Sequence, residues 1–213
     1  QRLSRGLGDV YKRQVQRTVI RKGENKLEKK LKSKNKTNIK KIKKINDLAN
    51  KSKKPLLLLG NGANDKKNFS LINKLVKKYN FQVVTSLLGI GSYDTRKTNH
   101  HGYIGHTGHI AANFAAYTCD FLLVLGSRLD LRQTGTEVNQ FCPEAHKVMV
   151  DIDNNELENP RVKIDFKINQ STNNFLINFL KLKNKKNNLQ KVNSSCLKFL
   201  KIKKNLNLED EFN

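Results

Sequence analysis

Short runs of consecutive apolar residues alternate along the chain with longer segments whose apolar residues recur every three or four positions. The runs predict strands at 56–59, 81–85, 121–125 and 147–152, and the polar–apolar alternation of 162–168 predicts a fifth strand at a sheet edge. Continuously apolar strands that alternate with helices are typical of a parallel sheet covered on both faces. We therefore predict an α/β fold with a doubly wound, mainly parallel, Rossmann-like sheet of five to six strands.

Helical spacing and capping residues predict helices between these strands. The segment 38–49 carries its apolar side chains on one stripe and begins with a capping asparagine. Asn64 and Asp65 are candidate caps of a second helix, and the alanine-rich segment 108–117 predicts a third. Ser171 is expected to begin a closing helix.

The composition divides the chain into four segments. Residues 1–14 show no clear amphipathic period, and we interpret them as a translated adapter outside the fold. A short β-like piece, VQRTVI, and a lysine-rich linker make up 15–37, and the α/β pattern occupies 38–182. Residues 183–213 return to a lysine- and asparagine-rich linker, in which 192–208 predicts a further short helix. We expect these basic flanks to be helical or disordered.

The positive charge is distributed unevenly. The chain has a formal net charge of +24, but residues 55–170 contain 13 basic and 11 acidic residues, a net of +2. The flanks therefore carry +22, and in their lysine-rich segments 29–54 and 181–204 only one aromatic residue, Phe199, is interleaved with the lysines to stack on bases. We expect no nucleic-acid partner. A basic nucleic-acid-binding protein on an α/β core is the non-enzyme alternative, and it predicts salt-dependent binding through 22–54 and 181–204.

Cysteine and histidine usage points away from disulfides and metals. Cys119, Cys142 and Cys196 show no paired spacing, so we expect reduced thiols in a cytoplasmic protein. A second alternative, an NAD-dependent deacylase, would need a four-cysteine zinc module. No carboxylate or cysteine joins the histidines at a ligand-like spacing, so we predict no metal site at His100, His101, His106 and His109. No apolar run approaches the roughly 18–20 residues of a membrane span.

Polar and glycine residues follow several predicted strands, where parallel sheets bind ligands. Gly60-Asn61-Gly62 lies between a strand and a helix, and Gly126-Ser127-Arg128 directly follows the third strand. Arg128 and Arg132 are candidate phosphate ligands, and Asp151 can accept hydrogen bonds from ribose hydroxyls. No nucleophile–base pair or Walker motif is visible, so we predict a binding site without catalytic residues.

Several of these positions also have a purely structural interpretation. The glycines at 60–62 fit an ordinary tight βα turn. Arg128 could form a salt bridge to Asp130 or Asp153, and Asp153 could cap the turn after the fourth strand.

Three segments that follow Lys54-Pro55 share their order and spacing with a known family. They read VVTSLLGIGSYD, HHGYIGHTGHIAANFAAYTCDFLLVLGSRLDLRQTG and FCPEAHKVMVDID. Together they resemble the central domain of thiamine-diphosphate-dependent enzymes, the acetolactate synthase-like group in particular. The resemblance covers 55–170. It implies a fragment of a three-domain enzyme, with 15–37 the tail of a preceding domain and 183–213 a linker to a missing C-terminal domain. The fragment by itself is then expected to be inactive, because the missing domains bind thiamine diphosphate and Mg²⁺. The whole enzyme would act on a small 2-oxo acid as a dimer or tetramer.

The same resemblance implies FAD or ADP as a cofactor of this domain. In that family the synthases commonly show Gly-Met-His-Gly where this chain has Gly105-His106-Thr107-Gly108, so the histidine is moved by one place. Carried over position by position, the implied cofactor contacts are Gly60, Gly62, Ser86, Leu87, Ile104, Gly105, His106, Gly126, Ser127, Arg128, Asp130, Arg132, Asp151 and Ile152.

Overall fold

A six-stranded, all-parallel sheet forms the centre of the domain. The structure, a computed structural model, describes residues 39–183. The strands are β1 Pro55–Leu59, β2 Gln82–Thr85, β3 His100–Tyr103, β4 Phe121–Leu125, β5 His146–Asp151 and β6 Phe166–Asn169. Their order across the sheet is β3-β2-β1-β4-β5-β6, and every neighbouring pair is parallel. This order is that of a doubly wound dinucleotide-binding fold, and it confirms the predicted fold class.

Helices cover both faces of the sheet. They are α1 Ile39–Lys51, α2 Lys66–Tyr79, α3 Ile110–Thr118, α4 Leu131–Thr134, α5 Asn154–Glu158 and α6 Thr172–Leu180. The apolar sides of α1, α2 and α6 share one buried cluster with side chains of β1 and β4, whereas α3 and α5 contribute to a second cluster. Of the predicted caps, Asp65 and Ser171 are confirmed, because Asp65 accepts a hydrogen bond from Lys67 N and Ser171 from Asn174 N, whereas Asn64 ends the preceding turn and does not cap α2.

The structure corrects the strand prediction at two places. His100–Tyr103 forms strand β3 at one edge of the sheet, although its histidines and glycine give no apolar run and no strand was predicted there. The edge strand β6 begins at Phe166, four residues later than predicted, because pairing with β5 starts only at the Phe166–Val148 position. The predicted helix at 192–208, the cap at Asn38 and all of 1–37 lie outside the described residues.

The carboxylate of Asp120 fixes the connection between α1 and β1. It accepts hydrogen bonds from the backbone amides of Lys53 and Lys54, at 2.7 and 2.9 Å, and from the hydroxyl of Ser52. Because Asp120 directly precedes β4, these bonds join the entry of β1 to the entry of its neighbour in the sheet.

We expect Asp120→Ala to lower the free energy of unfolding by about 1–3 kcal/mol, since it leaves two backbone amides and a hydroxyl without their acceptor. Urea denaturation measures the change. Asp94→Ala is the matched control, because among residues 39–183 its carboxylate accepts hydrogen bonds from Arg96 within the same exposed turn. Equal losses in the two variants would contradict this interpretation.

Candidate functional site

The strand order switches between β1 and β4, because β2 and β3 follow on one side of β1 and β4 to β6 on the other, and this leaves a crevice at the carboxyl ends of these two strands. The loops that leave the strands are in direct backbone contact, with Gly60 N donating to Leu125 O at 2.9 Å and Gly62 N to Gly126 O at 3.0 Å. A Cβ at Gly60 would lie 2.1 Å from Gly126 O. The close approach of the two loops to each other therefore requires glycine at this position.

A cleft of about 900 Å³ opens at this edge of the sheet. Every strand contributes, because the segments that follow β1 to β6 all reach the wall of the cleft. The lining residues are Asn61, Gly62, Ser86, Leu87, Leu88, Tyr103, Ile104, His106, Thr107, Gly126, Ser127, Arg128, Asp130, Arg132, Gln133, Asp151, Ile152, Ser171 and Thr172.

The structure brings most of the predicted contact residues together. All fourteen except Gly60 and Gly105 line the cleft. These two glycines instead allow close backbone contact between neighbouring loops, Gly60 with Gly126 and Gly105 with Arg132. Whether the lining residues contact a cofactor stays a prediction.

Seven lining residues were not predicted: Asn61, Leu88, Tyr103, Thr107, Gln133, Ser171 and Thr172. Ser171 and Thr172 follow the last strand, so the rule that placed the other loops at this edge could have found them. Tyr103 was missed together with β3 itself.

The loop after β4 carries two arginines with different surroundings. Arg128 Nη1 lies 3.8 Å from Glu156 Oε1, and the Arg128 side chain is 66% exposed. This pairing replaces the predicted alternatives Asp130 and Asp153. Asp130 instead caps α4, where its carboxylate accepts a hydrogen bond from Gln133 N. Arg132 lies on that helical turn and lines the cleft.

Backbone contacts position the loop after β3 against α4. His106 N donates to Arg132 O at 3.0 Å. The Asn113 side chain exchanges two hydrogen bonds of 2.9 Å with the backbone of Gly105, and a Cβ at Gly105 would lie 2.2 Å from Arg132 O. Both His106 and Thr107, the two positions at which this chain differs from the motif of the resembling synthases, line the cleft.

At the end of β5, Asp151 faces the cleft with one carboxylate oxygen accepting a hydrogen bond from Asp153 N at 2.9 Å. Asp153 caps α5, as the structural interpretation predicted. Ile152, Leu87 and Leu88 are 64%, 55% and 72% exposed and give the cleft an apolar rim. The cleft thus combines cationic and apolar surfaces, which suits a ligand with both anionic and apolar parts.

The four histidines occupy different environments. His100 and His101 are buried in β3, where His101 Nε2 lies 2.8 Å from Gln82 Oε1. His109 is the N-cap residue that precedes α3, and its ring packs edge-on against Tyr103, with ring centroids 4.8 Å apart. Within residues 39–183, no group of three or more histidine, cysteine, aspartate or glutamate side chains is placed to hold a metal ion.

The thiols of Cys119 and Cys142 are free and buried. Burial raises the pKa of Cys142 well above its usual range, and the neighbouring Cys119 thiol acts in the same direction. A thiol with a raised pKa is a poor nucleophile, so this pair is part of the apolar packing.

A comparison with known protein families matches the same α/β domain that carries the cleft. The family model described as "Thiamine pyrophosphate enzyme, central domain" matches residues 42–178. The chain belongs to this family. The match extends beyond the resemblance at 55–170 to parts of α1 and α6, and it confirms the identification made from the sequence motifs.

Curated relatives carry the same assignment. The chain is 35% identical over 111 residues to the acetolactate synthase large subunit of Parasynechococcus marenigrum, and 38% identical over 111 residues to that of Porphyra purpurea. It is 31% identical over 133 residues to the large subunit of Haemophilus influenzae. These alignments cover 52%, 52% and 62% of this chain but only 18%, 19% and 23% of the relatives. The chain therefore spans about a fifth of the length of the synthases it matches.

Among the described residues of this central domain, no helix is long and apolar enough to cross a membrane. Nothing in the same residues favours the nucleic-acid or deacylase alternative.

Proposed function

We propose that the cleft of this central domain holds an adenine nucleotide cofactor, FAD or ADP. We further propose that the domain is part of a thiamine-diphosphate-dependent enzyme acting on a 2-oxo acid. The observation that carries the cofactor proposal is the gathering of Arg128, Arg132 and Asp151 in one cleft at the switch point of a doubly wound sheet.

The residues present fit such a ligand in three respects. The guanidinium groups of Arg128 and Arg132 suit a pyrophosphate, because their forked donors match phosphate oxygens. The carboxylate of Asp151 suits the hydroxyls of a ribose. The exposed rim of Leu87, Leu88 and Ile152 suits a flat ring system, which FAD has in addition to its adenine.

Thiamine diphosphate, when bound, supplies the electron sink for decarboxylation of a 2-oxo acid and carbon–carbon bond formation. The matched family model is that of a central domain, and this chain spans about a fifth of the length of the synthases it matches. We therefore place thiamine diphosphate and Mg²⁺ in other domains of the enzyme, and assign the described domain to binding the nucleotide and joining those domains. The lyase or transferase activity is then a property of the whole enzyme, and this chain by itself is inactive.

The assembly and compartment are proposals of the same kind. The matched relatives are named as large subunits, which supports an oligomer, and we propose a homodimer or homotetramer. The free thiols of Cys119 and Cys142 support a reducing compartment, the cytoplasm.

The proposal predicts that the 213-residue chain binds FAD or ADP. Fluorescence quenching of FAD and calorimetric titration of ADP measure this. Adenosine is the control ligand, and it should bind at least tenfold more weakly than ADP because it lacks the phosphates that the arginines would contact. If neither FAD nor ADP binds, the cofactor proposal fails. If the chain with added thiamine diphosphate and Mg²⁺ consumes pyruvate, its proposed inactivity fails.

A further inference from the structure

The helix that carries Arg132 is a single turn. Helix α4 comprises only Leu131–Thr134, and both Arg132 and Gln133 line the cleft. Helices much shorter than about 12–15 residues are marginal in water without outside contacts. The position of the Arg132 side chain in the cleft therefore depends on what holds this turn.

Residues of the loops after β3 and β4 contact α4 by hydrogen bonds. The Asp130 carboxylate caps it by accepting from Gln133 N, and Ser127 Oγ donates to Gln133 Oε1 at 2.6 Å. The loop after β3 is attached through the hydrogen bond from His106 N to Arg132 O. A movement of α4 would therefore also displace His106, which lines the cleft.

Arg161 holds the carboxyl-terminal end of the turn from outside the cleft. Its Nε donates to Thr134 Oγ1 at 3.2 Å, and its Nη2 donates to the backbone oxygens of Gly135 at 3.0 Å and Thr136 at 3.4 Å. The Thr134 hydroxyl in turn donates to Asp130 O at 3.0 Å, so one guanidinium is connected to both ends of α4. A positive charge is also favourable near the carboxyl end of a helix.

We propose that Arg161 is a positioning residue of the nucleotide cleft, acting through α4 on Arg132 and His106. The part of this inference that concerns ligand binding rests on the proposed function. The reason is geometric, because the planar fork of the guanidinium donates from two of its nitrogens to three acceptors at this end of α4. Without it, the end of α4 would exchange these bonds for water, and the Arg132 guanidinium would no longer be held toward a ligand.

The first test needs no ligand and uses the 213-residue chain. We expect Arg161→Ala to speed hydrogen exchange of the His106 and Gly135 amides by about tenfold, because both amides donate to carbonyls of α4. Arg161→Lys should give a smaller increase. Arg96→Ala removes an exposed arginine whose ion pair in the described part of the chain is with Asp94, so it should leave both amides unchanged. Unchanged exchange at His106 in Arg161→Ala would overturn the proposal.

The second test is a double-mutant cycle of Arg161→Ala and Arg132→Ala, in which the affinities for ADP and for adenosine are measured. Arg161→Ala should weaken ADP binding by about fivefold and leave adenosine binding unchanged, since the loss passes through a phosphate contact. The double variant with Arg132→Ala should bind ADP no more weakly than Arg132→Ala by itself. Additive losses would overturn the inference. If the unsubstituted chain binds no nucleotide, the proposed function fails, and the exchange measurement still decides whether Arg161 positions α4.

Discussion

Replacing Gly126 with alanine is expected to lower the free energy of unfolding by about 3 kcal/mol or more. The added Cβ would lie 2.5 Å from Gly62 Cα, 2.6 Å from Gly62 C and 2.9 Å from Ala63 N. All three are backbone atoms, so no side-chain rotation relieves the clash. Gly126 also has a φ of +61°, where an L-residue is strained. Relief of the clash would separate the loops that leave β1 and β4.

Gly91→Ala separates the two causes of this loss. Gly91 has a φ of +97°, but a Cβ there would meet no atom within 4 Å. It should therefore cost only the conformational strain, about 1–2 kcal/mol, whereas Gly126→Ala carries the steric clash as well. Urea denaturation of both variants gives the comparison. Similar losses would mean that the contact between the two loops is not what requires glycine at 126.

Replacing Arg132 with alanine is expected to weaken ADP binding by about tenfold or more and to leave adenosine binding unchanged. Arg132 lines the cleft on a turn that is held at both ends, so its guanidinium is placed in advance for an anion. Arg128→Ala should have a smaller effect, because Arg128 is 66% exposed and lies 3.8 Å from the Glu156 carboxylate.

Calorimetric titration of both variants with ADP and adenosine checks this order. Arg96→Ala is the control for the loss of one positive charge, since Arg96 is exposed and pairs with Asp94 outside the cleft. If Arg96→Ala weakens ADP binding as much as Arg132→Ala, the effect comes from net charge and not from a local contact. If Arg128→Ala weakens ADP binding more than Arg132→Ala, Arg128 is the main phosphate contact and the proposed order of the two arginines is wrong.

The cleft was largely predictable from the sequence, although its internal contacts were not. The apolar runs at 56–59 and 121–125 fixed where β1 and β4 end, and a parallel sheet puts everything that follows such ends at one edge. This is why Gly62, Arg128 and Arg132 were expected near one another and are found lining one cleft. This inference from strand ends is possible because it needs only the positions of the strands in the sequence and their parallel direction, and no knowledge of side-chain contacts.

Strand β3 was not predicted because its side chains follow no strand-like apolar pattern, so only its backbone pairing with β2 identifies it as a strand. The sequence HHGY has no apolar alternation, and its pairing with β2 shifts register between Val83 and Thr85. A short edge strand of this kind needs its neighbour already in place. Its omission also removed Tyr103 from the predicted site.

The sequence by itself determined the α/β class, the central strands, the family and most of the residues that line the cleft, because periodicity and motif order are local properties of the chain. Only the tertiary structure decided that Gly60 faces Gly126, that Arg128 pairs with Glu156, and that Arg161 holds the helical turn of Arg132. The last two contacts join residues 26 to 28 positions apart. Such partners are chosen by how the segments pack, and no local pattern records that choice.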